Sequence, residues 1–420
     1  MKFKSWKLLL LIAVAATSVE AEDSSEEIKL LKDQIQQLDQ RLKILDRKGE
    51  LDTEASDVAR KSAPRPSAGA GGFVFSSADT NFVLKIRGYV QAHARFLANE
   101  DTPGNDTFLL RRVRPILEGT VFENFDYRLM LDFASGLTAS ASNNPLLKDA
   151  YVNYRQFPWL QVQAGKFKEP VGLERLQSGA NLLVVERGYP TQLLPNRDVG
   201  VQLHGEFFKG SLNYAVGVFN GVADGGSGDL EASDDDKDVA ARLFAHPFKN
   251  TDIEPLQKLG LGIAGTLGEQ SGELRTYTTP GQQRFFAYRS GPGTNAATAN
   301  VLADGQHWRI SPQGFYYWGP VGLFGEYAIS SQEVTRSAGA ASTETRLQNS
   351  GWQVSASYVL TGDENSFKGL TRRNPFDPKN GGWGAWELTA RIGQLSIDDD
   401  AFPLYVTTAS AKEAKSWESD

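Results

Sequence analysis

Cysteine is absent from all 420 residues, which excludes a disulfide scaffold and any thiolate chemistry. Histidine is scarce as well: His93, His204, His246 and His307 are scattered, without the spacing of metal ligands. HExxH, GxSxG and GxxxxGK do not occur, so no catalytic motif is present, and neither a metal nor another cofactor is expected. Past the N-terminal segment no apolar run approaches the ~18 residues that a membrane-crossing helix needs. Forty-one glycines and an aromatic content of 10% are what the chain has in quantity, and both suit turns and strands.

The first residues carry an address. Lys2, Lys4 and Lys7 precede the apolar run from Leu8 to Ala16, and Val19-Glu20-Ala21 offers small residues where a signal peptidase reads them. Residues 1–21 are therefore read as a secretory signal peptide, with the mature chain starting at Glu22. An exported, cysteine-free, glycine- and aromatic-rich chain fits a β protein of the bacterial envelope. In residues 22–50, Ile28, Leu31, Ile35, Leu38, Leu42 and Leu45 recur at spacings of three and four, the seam of a short coiled coil. A single amphipathic surface helix is the alternative, and about three heptads are marginal for a coil standing alone. Residues 51–78, rich in Pro, Gly and Ala, read as a linker, and residues 79–420 as one β domain.

That domain announces itself between Phe82 and Phe133. Phe82, Leu84, Ile86, Gly88, Val90, Ala92, Ala94 and Phe96 alternate with Lys85, Arg87, Gln91, His93 and Arg95, a period of two that only a strand provides. From Leu110 to Phe122, Val113, Pro115, Leu117, Gly119 and Val121 oppose Arg112, Arg114, Glu118 and Thr120, with Arg111 on the other face. Tyr127, Leu129, Leu131 and Phe133 then oppose Arg128 and Asp132. The polar face is cationic on all three. Ten further strand-like segments follow, the last being Trp386 to Ile397. Their connections mostly alternate: tight at Glu123-Asn124-Phe125, Phe157-Pro158, Lys209-Gly210 and Trp318-Gly319, long near 97–107, 134–148, 167–197, 220–237, 268–306 and 331–349. Short turns on one side and long loops on the other are the habit of outer-membrane barrels, as is a girdle of aromatics such as Phe82, Tyr127, Phe133, Trp308, Tyr316, Trp352, Tyr358 and Trp386.

Four blocks resemble the phosphate-selective porins O and P of Gram-negative outer membranes: LRRVRPILEGTVFENFDYRLMLDF (110–133), the block from 149 to 178 containing GKFKEPVGLE, VVERGYP with PNRDVGVQLHGEF (184–207), and NPFDPKNGGWGAWELTARIGQL (374–395). The resemblance spans most of Phe82 to Ile397. It implies a homotrimer of sixteen-stranded antiparallel barrels whose Arg- and Lys-lined waist passes phosphate or polyphosphate in the outer membrane, with lipid and lipopolysaccharide around it and no nucleic-acid partner.

On the residues themselves, an anion-binding pore is expected from Lys85, Arg87, Arg95, Arg111, Arg112, Arg114 and Arg128, with Glu118 and Asp132 moderating it. Alternation allows only one of Arg111 and Arg112 on the lumen wall unless a bulge turns both inward, and Arg112 and Arg114 are favoured over Arg111. The 167–197 connection, third of the long loops, is expected to narrow the lumen with Lys166, Lys168, Arg175, Arg187 and Arg197, partly balanced by Glu169, Glu174 and Glu186. The net charge of -7 does not oppose this, because much of it falls outside the pore, in Asp229, Glu231, Asp234, Asp235, Asp236 and Asp238, and distant charge is screened. The other readings are a filled structural or adhesin-like barrel and a barrel-wall hydrolase. Roughly thirteen strands are found against the even numbers that barrels use, so a shortened barrel lacking about three strands, and not conducting, is also expected. Leu38→Lys places a charge in the seam and should lower the helicity and self-association of the isolated segment 22–50, read by circular dichroism and sedimentation. A wild-type segment already monomeric and unfolded would mean that the seam needs the barrel.

Overall fold

The computed structural model describes residues 6–69, 71–98, 105–134, 146–228 and 235–420. The acidic residues Asp229, Glu231 and Asp234 lie outside them. Helix α1, Trp6–Ser62, runs without a break through the export segment and the seam. It passes the expected end at residue 50 because residues 51–62 contain neither glycine nor proline, while Arg47 with Glu50 and Arg60 with Asp57 form pairs three residues apart. Pro64 and Pro66 stop it. Ile28, Leu31, Ile35, Leu38, Leu42 and Leu45 are all exposed along it. Among the described residues no helix is long and apolar enough to cross a membrane.

The strands are β1 Arg65–Gly69, β2 Gly72–Ser76, β3 Val83–Arg95, β4 Thr107–Val121, β5 Phe125–Asp132, β6 Leu146–Phe157, β7 Leu160–Lys168, β8 Arg197–Phe207, β9 Leu212–Phe219, β10 Asp238–Ala245, β11 Gly260–Glu273, β12 Tyr277–Thr278, β13 Arg284–Phe286, β14 Asn300–Trp318, β15 Val321–Ala338, β16 Ala341–Val359, β17 Phe376–Asp377, β18 Gly382–Trp383, β19 Glu387–Ser396 and β20 Glu413–Ser419. Two short pairs, β12 with β13 and β17 with β18, stand apart, and the other sixteen form one sheet in strict chain order. From β3 onward every neighbouring pair is antiparallel.

Sixteen strands replace the roughly thirteen read from the sequence. Two of the additional ones, β1 and β2, lie within residues 51–78, where proline and glycine suggested only a linker. The third is β20, which begins at Glu413. The expected long connection at 331–349 is instead a tight hairpin, with β15 ending at Ala338 and β16 starting at Ala341. Apolar residues are sparse there, Val334 and Leu347 being the buried ones among polar neighbours, with Thr335 bonded to Asp304 at 2.7 Å and Arg346 to Gln306 at 3.0 Å, so no sustained apolar alternation marks the strands.

The sheet curls. Along β16 buried and exposed residues alternate, and the buried faces of β7, β9, β10, β11, β14, β15, β16 and β19 converge on one cluster with Val171, Tyr189, Leu193 and Leu194 of the β7–β8 connection. The opposite face carries exposed Val90, Leu117, Val201, Leu243, Ile263 and Val354. Sixteen strands in chain order, antiparallel from β3 onward, with apolar side chains on the outer face, make this an antiparallel outer-membrane β-barrel. Of the girdle aromatics, Phe82, Phe133, Tyr358 and Trp386 are exposed.

Gly165 allows β7 to lie against β6: its φ is +122°, and a Cβ there would sit 2.2 Å from the Ala150 carbonyl oxygen. Gly165→Ala should therefore cost at least the 1–3 kcal/mol or so of a strained backbone. It should also lower the fraction of refolded barrel that shows heat-modifiable mobility on gels.

Candidate functional site

The inward faces of β3 to β8 carry the cations, and the register explains how. Gln91 on β3 pairs with Arg112 while Ala92 pairs with Leu110, so Arg111 is an extra residue in β4. This bulge breaks the alternation and turns both arginines toward Glu186 of the β7–β8 connection. Arg111 meets it through two bonds, 2.5 and 3.0 Å, with Arg112 at 3.6 Å. A second bulge acts likewise on β6. Met130 pairs with Asp149 and Leu131 with Leu147, leaving Lys148 as the extra residue beside the buried Asp149.

The charged groups form rungs. Arg87 bonds Glu118 at 2.7 and 3.0 Å, Arg128 bonds Glu118 at 2.9 Å and Asp149 at 3.0 Å, and Arg197 bonds Asp149 at 2.7 Å. Lys85 stands opposite Glu118 in the register and is exposed. Arg114 bonds Asp132 at 2.7 Å and the Tyr89 hydroxyl at 2.9 Å. Arg95 lies 3.7 Å from Glu186. Seven arginines, 87, 95, 111, 112, 114, 128 and 197, thus share the four carboxylates Glu118, Asp132, Asp149 and Glu186. The wall is left with surplus positive charge, to which Lys148, Lys166 and Lys168 add.

The preference for Arg112 over Arg111 is reversed by exposure. Arg112 is 2% exposed, with Gln91 bonded to its guanidinium and Gly179 close above it, whereas Arg111 and Arg95 are each 30% exposed. Arg114, at 10%, lies between.

Residues 169–196 turn into the barrel. Pro170 and Gly172 end β7, then the short helices α2, Leu173–Leu176, and α3, Pro190–Leu193, place Leu173, Leu193 and Leu194 into the wall. The wall makes room with glycine: a Cβ on Gly351 of β16 would lie 3.5 Å from Leu193, and one on Gly393 of β19 would lie 3.4 Å from Tyr189. Polar clasps complete the fit. Glu326 on β15 accepts from the amides of Leu173 and Glu174 at 2.6 and 3.3 Å. Glu174 accepts from Gly188 N, from Gln353 of β16, both at 2.9 Å, and from Arg391 of β19 at 3.0 Å. Arg391 also donates to the Glu186 carbonyl at 2.7 Å and to Glu418 of β20.

The segment is therefore held against β14 to β19, whose inward residues include neutral Ser311, Gln313, Ser331, Asn349, Ser355 and Ser357. The charged Arg309 on that side is neutralised by Asp224 at 2.9 Å and Asp238 at 3.3 Å. Asp224 also accepts from Ser330 and Tyr277, fastening the β9–β10 connection. Burial alone would raise its carboxyl, but His307 and then Arg309 hold it at about 2.

Within the inturned segment most cations serve the backbone. Arg175 donates to the carbonyls of Thr191 and Gly225, and Arg187 to those of Glu174 and Gln177 at 3.2 and 2.9 Å. Burial lowers them to about 9 and about 10, so both stay charged at neutral pH. Lys168 donates to the Gln177 carbonyl at 2.7 Å, and Lys166 to that of Gly228 at 2.5 Å. Glu169 does not offset them as expected: burial, with Asp238 and Asp198 nearby, pushes it well above the usual carboxylate range, and both of its oxygens lack partners.

Sequence reasoning missed Lys148, Asp149, Glu326 and Arg391. The adjacent charges Lys148-Asp149 were a usable signal, since strict alternation cannot direct both inward. Arg391 lay within a quoted block but has no cationic neighbour along its strand.

A family model described as phosphate-selective porin O and P matches residues 84–418. Porin O of Pseudomonas aeruginosa is 23% identical over 397 residues, covering 87% of this chain and 83% of that protein. Among solved structures, the outer membrane channel DcaP of Acinetobacter baumannii is 9% identical and covers 84% of this chain and 96% of its own, with a TM-score of 0.39. Outer-membrane expressed OmpT of Vibrio cholerae is 11% identical and covers 81% and 95%, with a TM-score of 0.40.

Arg391→Ala should release the inturned segment, because breaking a buried ion pair costs about 3–5 kcal/mol. The expected readout is new trypsin cleavage after Arg175 or Arg187 in an otherwise folded barrel, where the wild type resists.

Proposed function

This chain belongs to the family of phosphate-selective porins O and P, channels of the bacterial outer membrane rather than enzymes, and from that premise we propose that it passes phosphate-class oxyanions along the cationic wall of β3 to β8. The observation that carries the reading is the division of the lumen. The inturned segment lies against β14 to β19, where Arg309 and Arg391 are each paired with carboxylates, and this leaves a path beside Arg95, Arg111, Arg114 and Arg128.

An oxyanion entering a narrow pore gives up hydration water, and guanidinium and ammonium donors replace it with charge-assisted hydrogen bonds. The planar fork of arginine matches two oxygens of one phosphate. Conduction also requires that no site hold the ion too firmly. Glu118, Asp132, Asp149 and Glu186 supply that limit, since each guanidinium they bond is already partly satisfied. A cation meets surplus positive charge along the same wall, which disfavours its entry.

Three copies joined at the barrel and by the exposed α1 seam, with lipopolysaccharide around the outer loops, are the assembly proposed for this channel. Phosphate against polyphosphate as the preferred cargo is decided by comparing them as blockers of chloride current.

The test is single-channel recording of the purified chain in planar bilayers. Wild type should give a reversal potential on the anion side under a salt gradient, and phosphate should block the chloride current. Arg95→Ala with Arg111→Ala should raise the half-blocking phosphate concentration about tenfold through loss of two charge-assisted donors. It should also shift the reversal potential toward cations. A cation-selective wild-type channel would overturn the reading.

A further inference from the structure

We propose that Glu186 is a tethered anion, built into the pore, that occupies the accessible arginine cluster and sets how firmly a permeating oxyanion is held there. The inference rests on the channel reading above and adds a specificity-determining residue to it.

Four groups surround this carboxylate. Arg111 grips both oxygens, at 2.5 and 3.0 Å, Arg112 lies at 3.6 Å, and Arg95 and His93 each lie at 3.7 Å. A planar two-oxygen acceptor facing a guanidinium fork is the geometry by which arginine takes a carboxylate or one edge of a phosphate. Glu186 therefore stands where a bound oxyanion would place two of its oxygens.

It is also prevented from leaving. Its own carbonyl accepts from Arg391 at 2.7 Å, the next residue, Arg187, is clasped to the carbonyls of Glu174 and Gln177, and Tyr189 beyond it is fully buried. A side chain serving only to anchor the segment would have no need of an open volume beside it. Here a cavity of about 790 Å³ adjoins the carboxylate and is lined by His93, Arg95, Glu186 and Tyr189, with Lys415 and Glu418 on its far side. An oxyanion has room to reach Arg95, which lines the cavity, while Glu186 stays in place, and Arg111 is 30% exposed beside it.

The charge balance then fixes the consequence. Arg95, Arg111 and Arg112 present three positive charges to this one carboxylate, so removing Glu186 raises the net charge of these four groups from two to three. Without Glu186 the cluster would hold a dianion more tightly and release it more slowly, and an ion that binds too well does not conduct.

The experiment uses the full chain in planar bilayers, with inorganic phosphate as the blocker of chloride current. Glu186→Gln should lower the half-blocking phosphate concentration about fivefold, as removal of one close carboxylate from a partly screened cluster predicts. Its maximal phosphate current should fall. Glu186→Asp keeps the charge but draws it away from Arg111, and should shift the block the same way by about twofold, which keeps the test open if the Gln variant does not insert. Glu364→Gln removes one carboxylate from an exposed pair with Lys258, away from the cluster, and should leave the half-blocking concentration at the wild-type value. Unchanged block in both Glu186 variants, or an equal shift in Glu364→Gln, would overturn the proposal. A wild-type channel that phosphate does not block would overturn the channel reading beneath it.

Discussion

A guanidinium buried in the wall of a barrel needs counter-charge and oriented acceptors, and Arg391 on β19 finds Glu174, Glu418 and the Glu186 carbonyl. Glu186 then reaches with its side chain to Arg111 on β4. A single short stretch of chain thereby connects a strand near the end of the sheet with one near its beginning. In a low-dielectric interior such links are costly to break and exclude most alternatives, so the inturned segment has one position. The cavity beside Glu186, the burial of Arg112 and the exposure of Arg95 and Arg111 all follow from that position.

The second constraint is lateral. Strands β3 to β8 carry a run of arginine and lysine inward, whereas β14 to β16 carry mostly serine, glutamine and asparagine, with Arg309 and Glu326 among them. The apolar residues of the inturned segment, Val171, Leu173, Leu193 and Leu194, are buried, and Gly351 leaves space beside Leu193. Under the proposed function, loop placement and selectivity share one origin, the difference in side-chain size and charge between two parts of one sheet.

Along the cationic side, alternation between arginine and carboxylate matters more than the number of positive charges. Arg87, Glu118, Arg128, Asp149 and Arg197 form a continuous chain of opposite charges across β3, β4, β5, β6 and β8. Each carboxylate fixes the orientation of the guanidinium groups on either side of it. Fixed donors lose little freedom when a ligand arrives, and under the proposed function their partial satisfaction would keep a permeating ion mobile.

By itself the amino-acid sequence determined the strand pattern, the inward and outward faces of Phe82 to Phe133 and the cationic character of that inner face, because a period of two is a local property that needs no partner. It did not mark β1 and β2, which sit among proline and glycine, or the hairpin where β15 and β16 meet, where isolated Val334 and Leu347 among polar residues give no sustained alternation. Local pattern also placed Arg111 outside and Arg112 inside. Cross-strand register decided otherwise, since a bulge is defined by the pairing of two strands and not by either one alone. The pairings of Glu186 with Arg111, and of Arg391 with Glu174 and the Glu186 carbonyl, belong to the tertiary structure entirely: they join residues 75 to 217 apart in the chain, and only the curled sheet brings them within hydrogen-bond distance.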